Sequence, residues 1–423
     1  MRVLLVNTSE RTGGAAVATN RLMDALNNNG VKCKMLVRDK LTDDITVATL
    51  PRSPLLKWNF LWERLRIFLS LRFRKQHLWE VDSAQCGSDI TSLREFKEAD
   101  VIHLSWINQG MLSMADIKKI LRSGKPVVWT MHDLWPATGI CHYARGCDKY
   151  KTGCGDCPLL PGGHQRDLSS KVWRRKLSAY QGQLIHFVAC SKWLEREAKQ
   201  SGLLAGQRVT SIPNPIDTHV YHPKDKAQAR KDCGLPQDKK LMLFVSQRVT
   251  DPRKGLDYFV EAIDKLVASH PEAKEKMGVV ILGGRSEEVA DRLALPAYPL
   301  GYVNDEKHIV NVYNSADAFV LPSLEDNLPN TIMEAMACGV PCVAFRVGGI
   351  PEMIDHKRDG YVAGYRQVED LAQGIHWVLM EADHEELSRM ALHKVAIKYS
   401  QHAVAVEYIE TYNHAMAFKK CGI

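Results

Sequence analysis

The sequence predicts an α/β protein built from two Rossmann-like domains facing each other across a cleft. Three observations carry this: a length beyond one ordinary core, short apolar runs alternating with helical spacing, and a restart of that alternation half-way along. The chain has 423 residues, which favours two or three domains. Its 45% hydrophobic and 25% charged content fits a globular chain and excludes disordered and fibrous classes.

Taken in order, Met1 to Asn7 is a short apolar run ending at polar residues, as in a buried parallel strand. Gly13-Gly14 makes a turn, Ala18 to Asn28 has helical spacing, and Val31 to Val37 reads as a second strand. This β-turn-α-β order calls for a parallel sheet with crossover helices. Further strands are expected at Val101–Leu104, Pro126–Met131 and Ile185–Ala189. The proline-punctuated connector Ile212 to Asp217 then separates residues 1–215 from 216–402. The alternation restarts with a strand at Lys240–Ser246, a polar loop ending Arg253-Lys254-Gly255, and a helix from Leu256 to Ser269. Strands at Gly278–Leu282, Ala318–Leu321 and Pro341–Ala344 follow.

Apolar stretches such as Leu241 to Val245 are far shorter than the roughly 20 residues of a spanning helix. The N-terminal run is too short for a signal peptide, so the chain is expected to stay in the cytoplasm. Residues 1–200 carry 31 Lys+Arg against 19 Asp+Glu, and the remainder 25 against 30. A basic first half implies an anionic partner there. No aromatic-basic RNA motif or zinc-finger spacing supports nucleic acid, and an anionic membrane or lipid-phosphate acceptor fits better.

The densest chemistry lies in residues 322–341. A strand ends at Leu321, a polar loop follows, Pro329 stands where a helix can start, and Gly339 with Pro341 stops it. Backbone N–H groups of Asn330 and Thr331, with the positive end of the helix dipole, then face the C-terminal edge of a parallel sheet, a place suited to phosphate. Asp326 and Glu334 flank that place and can accept hydrogen bonds from sugar hydroxyls. A second constellation is Arg248 to Gly255, where cations at a strand end can neutralise a diphosphate leaving group.

These two segments resemble the signatures of the family-4 retaining glycosyltransferases, which have the GT-B fold. The resemblance implies that Glu334 binds the nucleotide ribose. The sugar-contacting acid maps to Asp326, with Glu325 beside it as the other candidate. It maps the diphosphate-binding cations to Arg248 and Lys254, with Arg253 as a further candidate. The polar loop and helix start, Asn327, Leu328, Pro329, Asn330 and Thr331, would line the donor. His132, after the Pro126–Met131 strand, would face the donor sugar, and the turn at Tyr302 and Val303 would meet the nucleobase. Gly13-Gly14 allows close backbone approach to a ligand, and Gly348-Gly349 makes another turn at the same site. A UDP- or GDP-sugar donor, a lipid-linked or oligosaccharide acceptor, and no catalytic metal follow from the resemblance. In such relatives a last helix, here Ala403 to Lys419, crosses back to the first domain, so that domain would also include residues 403–423. A nucleotide-sugar epimerase, a glycan phosphorylase and a non-catalytic nucleotide-sugar or zinc-binding protein are the competing readings.

Two features stand apart. Cys141, Cys147, Cys154 and Cys157 fall within 17 residues and have enough thiols for one structural zinc, with His142 as a substitute ligand; free buried thiols and redox-sensitive thiols are the alternatives. The other seven of the eleven cysteines are scattered, as small core residues are. Lys57 to Lys75 mixes aromatics with cations. Trp58, Leu61, Trp62, Leu65 and Leu69 share one helical face, with Phe60, Ile67 and Leu71 opposite, which fits either burial or peripheral attachment to a membrane. A second basic patch is expected at Lys171 to Lys176.

Overall fold

The computed structural model describes residues 1–51 and 53–420. Residues 421–423, part of the expected returning segment and including Cys421, lie outside them. The chain divides into one unit of Met1–Pro215 with Val404–Ile423 and a second of Ile216–Ala403.

Among the described residues the first unit holds seven parallel strands: β1 (Arg2–Ser9), β2 (Lys32–Asp39), β3 (Val47–Thr49), β4 (Val101–Leu104), β5 (Val127–Met131), β6 (Ile185–Ala189) and β7 (Arg208–Ser211). Their order is β3-β2-β1-β4-β5-β6-β7. Each central strand is an apolar run because both faces are covered, as crossover connections require. One face packs on Leu22, Met23 and Leu26 of the helix Gly14–Asn28, and on Val404, Tyr408 and Tyr412 of the helix Gln401–Lys420. The opposite core gathers Ile102, Trp129, Trp135, Phe187 and Leu194 among others.

The second unit holds β8 (Lys240–Arg248), β9 (Met277–Gly284), β10 (Ala297–Pro299), β11 (Ala318–Leu321), β12 (Cys342–Phe345) and β13 (Gly360–Ala363), in the order β10-β9-β8-β11-β12-β13. All pairings are parallel. From β8 the chain winds outward to β9 and β10, and from β11 it winds the opposite way. The loops after β8 and β11 therefore diverge at a topological switch point, where doubly wound sheets take ligands outside their C-terminal strand ends.

Among the described residues no helix is long and apolar enough to cross a membrane. Of the basic patch at Lys171–Lys176, Lys171, Arg174 and Arg175 are exposed on the helix Leu168–Tyr180. Lys176 is fully buried and donates to the backbone carbonyls of Trp135 and Thr138, so it is not a surface charge.

Candidate active site

At the switch point of the second unit, two loops are knitted together by the backbone. The turn Pro252–Lys254 ends at Gly255, whose φ of +71° starts the helix Leu256–Ser269. Leu324 N–H donates to the Arg253 carbonyl at 2.7 Å, tying the basic loop to the acidic one. Gly349 N–H donates to the Asn327 carbonyl at 2.8 Å, adding the glycine turn after β12. A Cβ on Gly255 would overlap the Pro322 carbonyl oxygen, and one on Gly348 would overlap that of Asp326. Both glycines therefore answer a close approach as well as a positive φ.

Within this frame Lys254 Nζ donates to Asp326 Oδ2 at 2.6 Å. The helix Asn330–Ala337 starts after Pro329 and carries Glu334, buried, whose Oε2 accepts from Tyr313 Oη at 2.7 Å. Burial, and then the adjacent Glu334 carboxylate, hold the Tyr313 hydroxyl well above its usual range, so it stays a donor that orients Glu334. Tyr313 lies 21 residues upstream on another helix, with no local sequence signal for the pairing. Arg248 ends β8, exposed, with Nε 3.2 Å from Thr250 Oγ1. Arg253 turns its guanidinium back onto Asp251, 2.7 Å away. Glu325 is partly exposed beside Asp326. Asn327, Leu328 and Pro329 are buried, and Asn330 and Thr331 are half-buried at the helix start. Gly301, with φ +67°, donates its N–H to Ser286 Oγ and presents an exposed Tyr302 followed by a half-buried Val303.

The first unit places its candidates at the C-terminal ends of its own central strands. Gly13 caps the helix Gly14–Asn28 with φ +91°, and a Cβ there would meet nothing within 4 Å. It thus serves the turn, and no protein atom approaches it closely. His132 follows β5 and is half-buried, with Nε2 2.9 Å from Ser105 Oγ, which in turn lies 2.5 Å from Thr19 Oγ1. Burial pushes the imidazole down to about 4, against a smaller raising effect of Asp133, so His132 is neutral at pH 7. This polar chain, which the sequence did not suggest, fixes the ring.

A wider cavity of about 820 Å³ opens beside β2 and the helix Pro54–Ser70, lined by Arg38, Asp39, Lys57 and Phe60 among others. No motif in the sequence pointed to it.

Cys141, Cys147, Cys154 and Cys157 all line one small cavity of about 20 Å³, and Gly139 N–H donates to Cys154 Sγ at 3.3 Å. As placed, no group of three or more His, Cys, Asp or Glu among the described residues is set to hold a metal ion. His142 is not the substitute ligand the sequence offered. Its Nδ1 meets Asp133 at 2.7 Å and its Nε2 meets Asp82 at 2.9 Å, so both ring nitrogens are committed. Of the scattered cysteines, Cys33, Cys190, Cys338 and Cys342 are buried, and Cys86 and Cys233 are half-buried.

The model of Glycosyltransferase Family 4 matches residues 12–220, and that of Glycosyl transferases group 1 matches residues 239–381. An uncharacterized glycosyltransferase of Methanocaldococcus jannaschii is 32% identical over 368 residues, 80% of this chain and 90% of that protein. The chain belongs to the family-4 glycosyltransferases. D-inositol 3-phosphate glycosyltransferase 2 of Catenulispora acidiphila is 32% identical over 189 residues, 42% of this chain and 43% of its own length. N-acetyl-alpha-D-glucosaminyl L-malate synthase of Bacillus anthracis is 26% identical over 223 residues, 51% of this chain and 56% of that protein. The family-4 chain thus spans about half the length of these two relatives. HepE of Anabaena, solved with UDP and glucose, has a TM-score of 0.65 at 15% identity, covering 98% of this chain and 100% of that one. Such likeness shows the GT-B fold for this family-4 chain.

Proposed function

We propose that the chain transfers a hexosyl group from a UDP- or GDP-sugar to a growing, lipid-linked glycan, with retention of anomeric configuration. The observation that carries this is the convergence of the Lys254–Asp326 pair, Arg248, the Asn330–Ala337 helix start and Glu334 at one switch point. Glu334 accepts from the ribose, and the Tyr302–Val303 turn meets the base. Arg248, Lys254 and the helix N–H groups hold the diphosphate. Asp326, or its neighbour Glu325, meets the donor sugar, a role the family resemblance also gives to His132.

In the reaction the bond from the sugar C1 to the diphosphate oxygen breaks and the electron pair leaves with the phosphate. An acceptor hydroxyl bonds to C1 on the same face, beside the departing oxygen that can take its proton. The cations are the groups asked to stabilise the leaving charge, worth about 10²–10³ in rate for one such donor. The basic first half, and the Arg38 and Lys57 cavity beside β2, support an anionic acceptor on that side. HepE, solved with UDP and glucose, supports a nucleotide-sugar donor.

The test is release of nucleotide diphosphate from a panel of UDP- and GDP-sugars in the presence of a membrane-lipid extract. Turnover with one donor, reduced about 10²–10³-fold in Lys254→Ala and in Glu334→Ala, is the expected result. No release and no donor binding by a folded chain overturns the transferase reading in favour of a non-catalytic binder. Interconversion of the sugar without nucleotide release favours an epimerase.

The four-cysteine loop fits a structural zinc in ligand chemistry, since four thiols border one small cavity. As placed, these thiols are not set to hold the ion, so ligation requires the loop to rearrange. About one equivalent of zinc per purified chain, and a Tm lowered by chelation and by Cys154→Ser, is expected. A metal-free chain whose Tm ignores the chelator refutes it.

A further inference from the structure

The helix Pro54–Ser70 is fixed by its inner side. Glu63, buried, accepts from the backbone N–H groups of Ser83 and Ala84, the latter at 2.7 Å. Arg64, also buried, pairs with Asp82 and donates to the Leu78 carbonyl. Ile67, with Leu71 just past the helix end, joins a small core with Val81, Ile140, Leu160 and Val172. An ion pair and a carboxylate committed to backbone cannot rotate outward cheaply, so the orientation of the helix is settled.

That orientation turns Leu55, Trp58, Leu61, Trp62, Leu65 and Leu69 to solvent, each between 44% and 65% exposed. At about 100° per residue they share an arc of roughly 120°. Lys57 borders that arc on one side and Arg66 on the other, both exposed. Past the helix end stand Arg72, Phe73, Arg74 and Lys75, all exposed. Between residues 54 and 75 the sole carboxylate is Glu63, and it is turned inward. A face meant to meet another protein has no need to exclude every acid while flanking its apolar stripe with cations. A face meant for anionic headgroups does, and paired tryptophans suit the boundary between headgroups and acyl chains.

We propose that this face of the Pro54–Ser70 helix docks the protein on an anionic lipid bilayer, with Trp58, Trp62 and their leucine neighbours in the interface and Lys57, Arg66, Arg72, Arg74 and Lys75 on the headgroups. The surface is independent of the donor site, and its failure leaves the transferase reading untouched. Leu61 of that face, with the bordering Lys57, also lines the Arg38-lined cavity, which places that bilayer beside it.

The experiment is co-sedimentation of the full chain with vesicles of phosphatidylcholine alone or containing about one-third phosphatidylglycerol. Binding at least tenfold tighter to the anionic vesicles, weakening with added salt, is expected, together with a blue shift of tryptophan emission. The triple variant Trp58→Ser, Trp62→Ser, Leu65→Ser should bind at least tenfold more weakly at an unchanged Tm, because these side chains are exposed. Lys57→Gln with Arg66→Gln should remove most of the preference for anionic lipid. Absence of vesicle binding, or binding indifferent to the triple variant, overturns the proposal. So does a dimer in solution that the triple variant dissociates without any vesicle binding, which would make the face an interface between copies.

Discussion

Gly348 and Gly255 show how single residues shape the proposed donor site. Each combines a positive φ with a Cβ position that the neighbouring loop carbonyl already occupies, that of Asp326 for Gly348 and of Pro322 for Gly255. Gly13 shares the positive φ but has open space around its Cβ. An alanine at Gly13, whose φ of 91° and ψ of 160° form a region that favours glycine, therefore meets only backbone strain, about 1–3 kcal/mol. At Gly348 or Gly255 the alanine has to displace the loop that carries Asp326 or Pro322 as well. We expect Gly348→Ala and Gly255→Ala to lower Tm by clearly more than Gly13→Ala does, and to weaken UDP or GDP binding at least tenfold. Calorimetric titration with the nucleotide checks this. Equal effects of Gly348→Ala and Gly13→Ala would mean that the loops adjust freely and the close approach is not required. Much of the candidate site was legible at this scale, because the segment from Asp326 to Glu334 and the Arg248–Gly255 loop are each contiguous in sequence. The hydroxyl of Tyr313 on Glu334, and the Ser105–Thr19 support behind His132, were not. They join residues on separate elements, and only the fold brings them within hydrogen-bond reach.

Among the elements, the strands that read clearly in the sequence are interior ones. β1, β2, β4, β5, β6, β8, β9, β11 and β12 lie inside their sheets, and all but β2, whose Lys32 and Lys34 are exposed, appear as predominantly apolar runs. The four strands left unread, β3, β7, β10 and β13, are the four sheet edges. β3, β7 and β10 are three or four residues long and only partly buried, and β10 ends in a proline, as edges tolerate. β13 is buried throughout, but its four residues start with a glycine, which leaves little pattern to read. The Pro54–Ser70 helix is the opposite case. Its two apolar faces were visible in the sequence, yet which one faces the core depended on Glu63 and Arg64 finding Ser83, Ala84 and Asp82, contacts that no local pattern encodes.

At the scale of the whole molecule, the first unit is discontinuous, and the segment that closes it comes after the second. On the helix Gln401–Lys420, Val404, Tyr408 and Tyr412 are buried against β1, β2, β4, β5 and β6 through residues such as Val3, Leu5, Val101, Val128 and Val188. Tyr412 Oη lies 2.6 Å from His103 Nδ1, Tyr408 Oη lies 2.8 Å from Thr130 Oγ1, and Thr130 Oγ1 lies 2.7 Å from His103 Nε2. Burial pushes the His103 imidazole down to about 3, so it stays neutral with one nitrogen donating and the other accepting. Ending the chain at Ala403 removes both rings, each covering about 150–250 Å². At about 25 cal/mol per Å² that is roughly 4–6 kcal/mol per ring. His103 then loses its tyrosine partner at a further cost of about 1–3 kcal/mol. The sum rivals the roughly 5–15 kcal/mol that holds a whole domain folded. We expect the shortened chain to lose the cooperative unfolding transition of the first unit while that of Ile216–Ala403 persists. Tyr412→Phe, which keeps the ring and removes only the hydroxyl, should retain both transitions with the first shifted down by a few degrees. Differential scanning calorimetry of the three chains decides the matter. A chain ending at Ala403 that keeps the first transition in place would show that the returning helix decorates the first unit without completing its core.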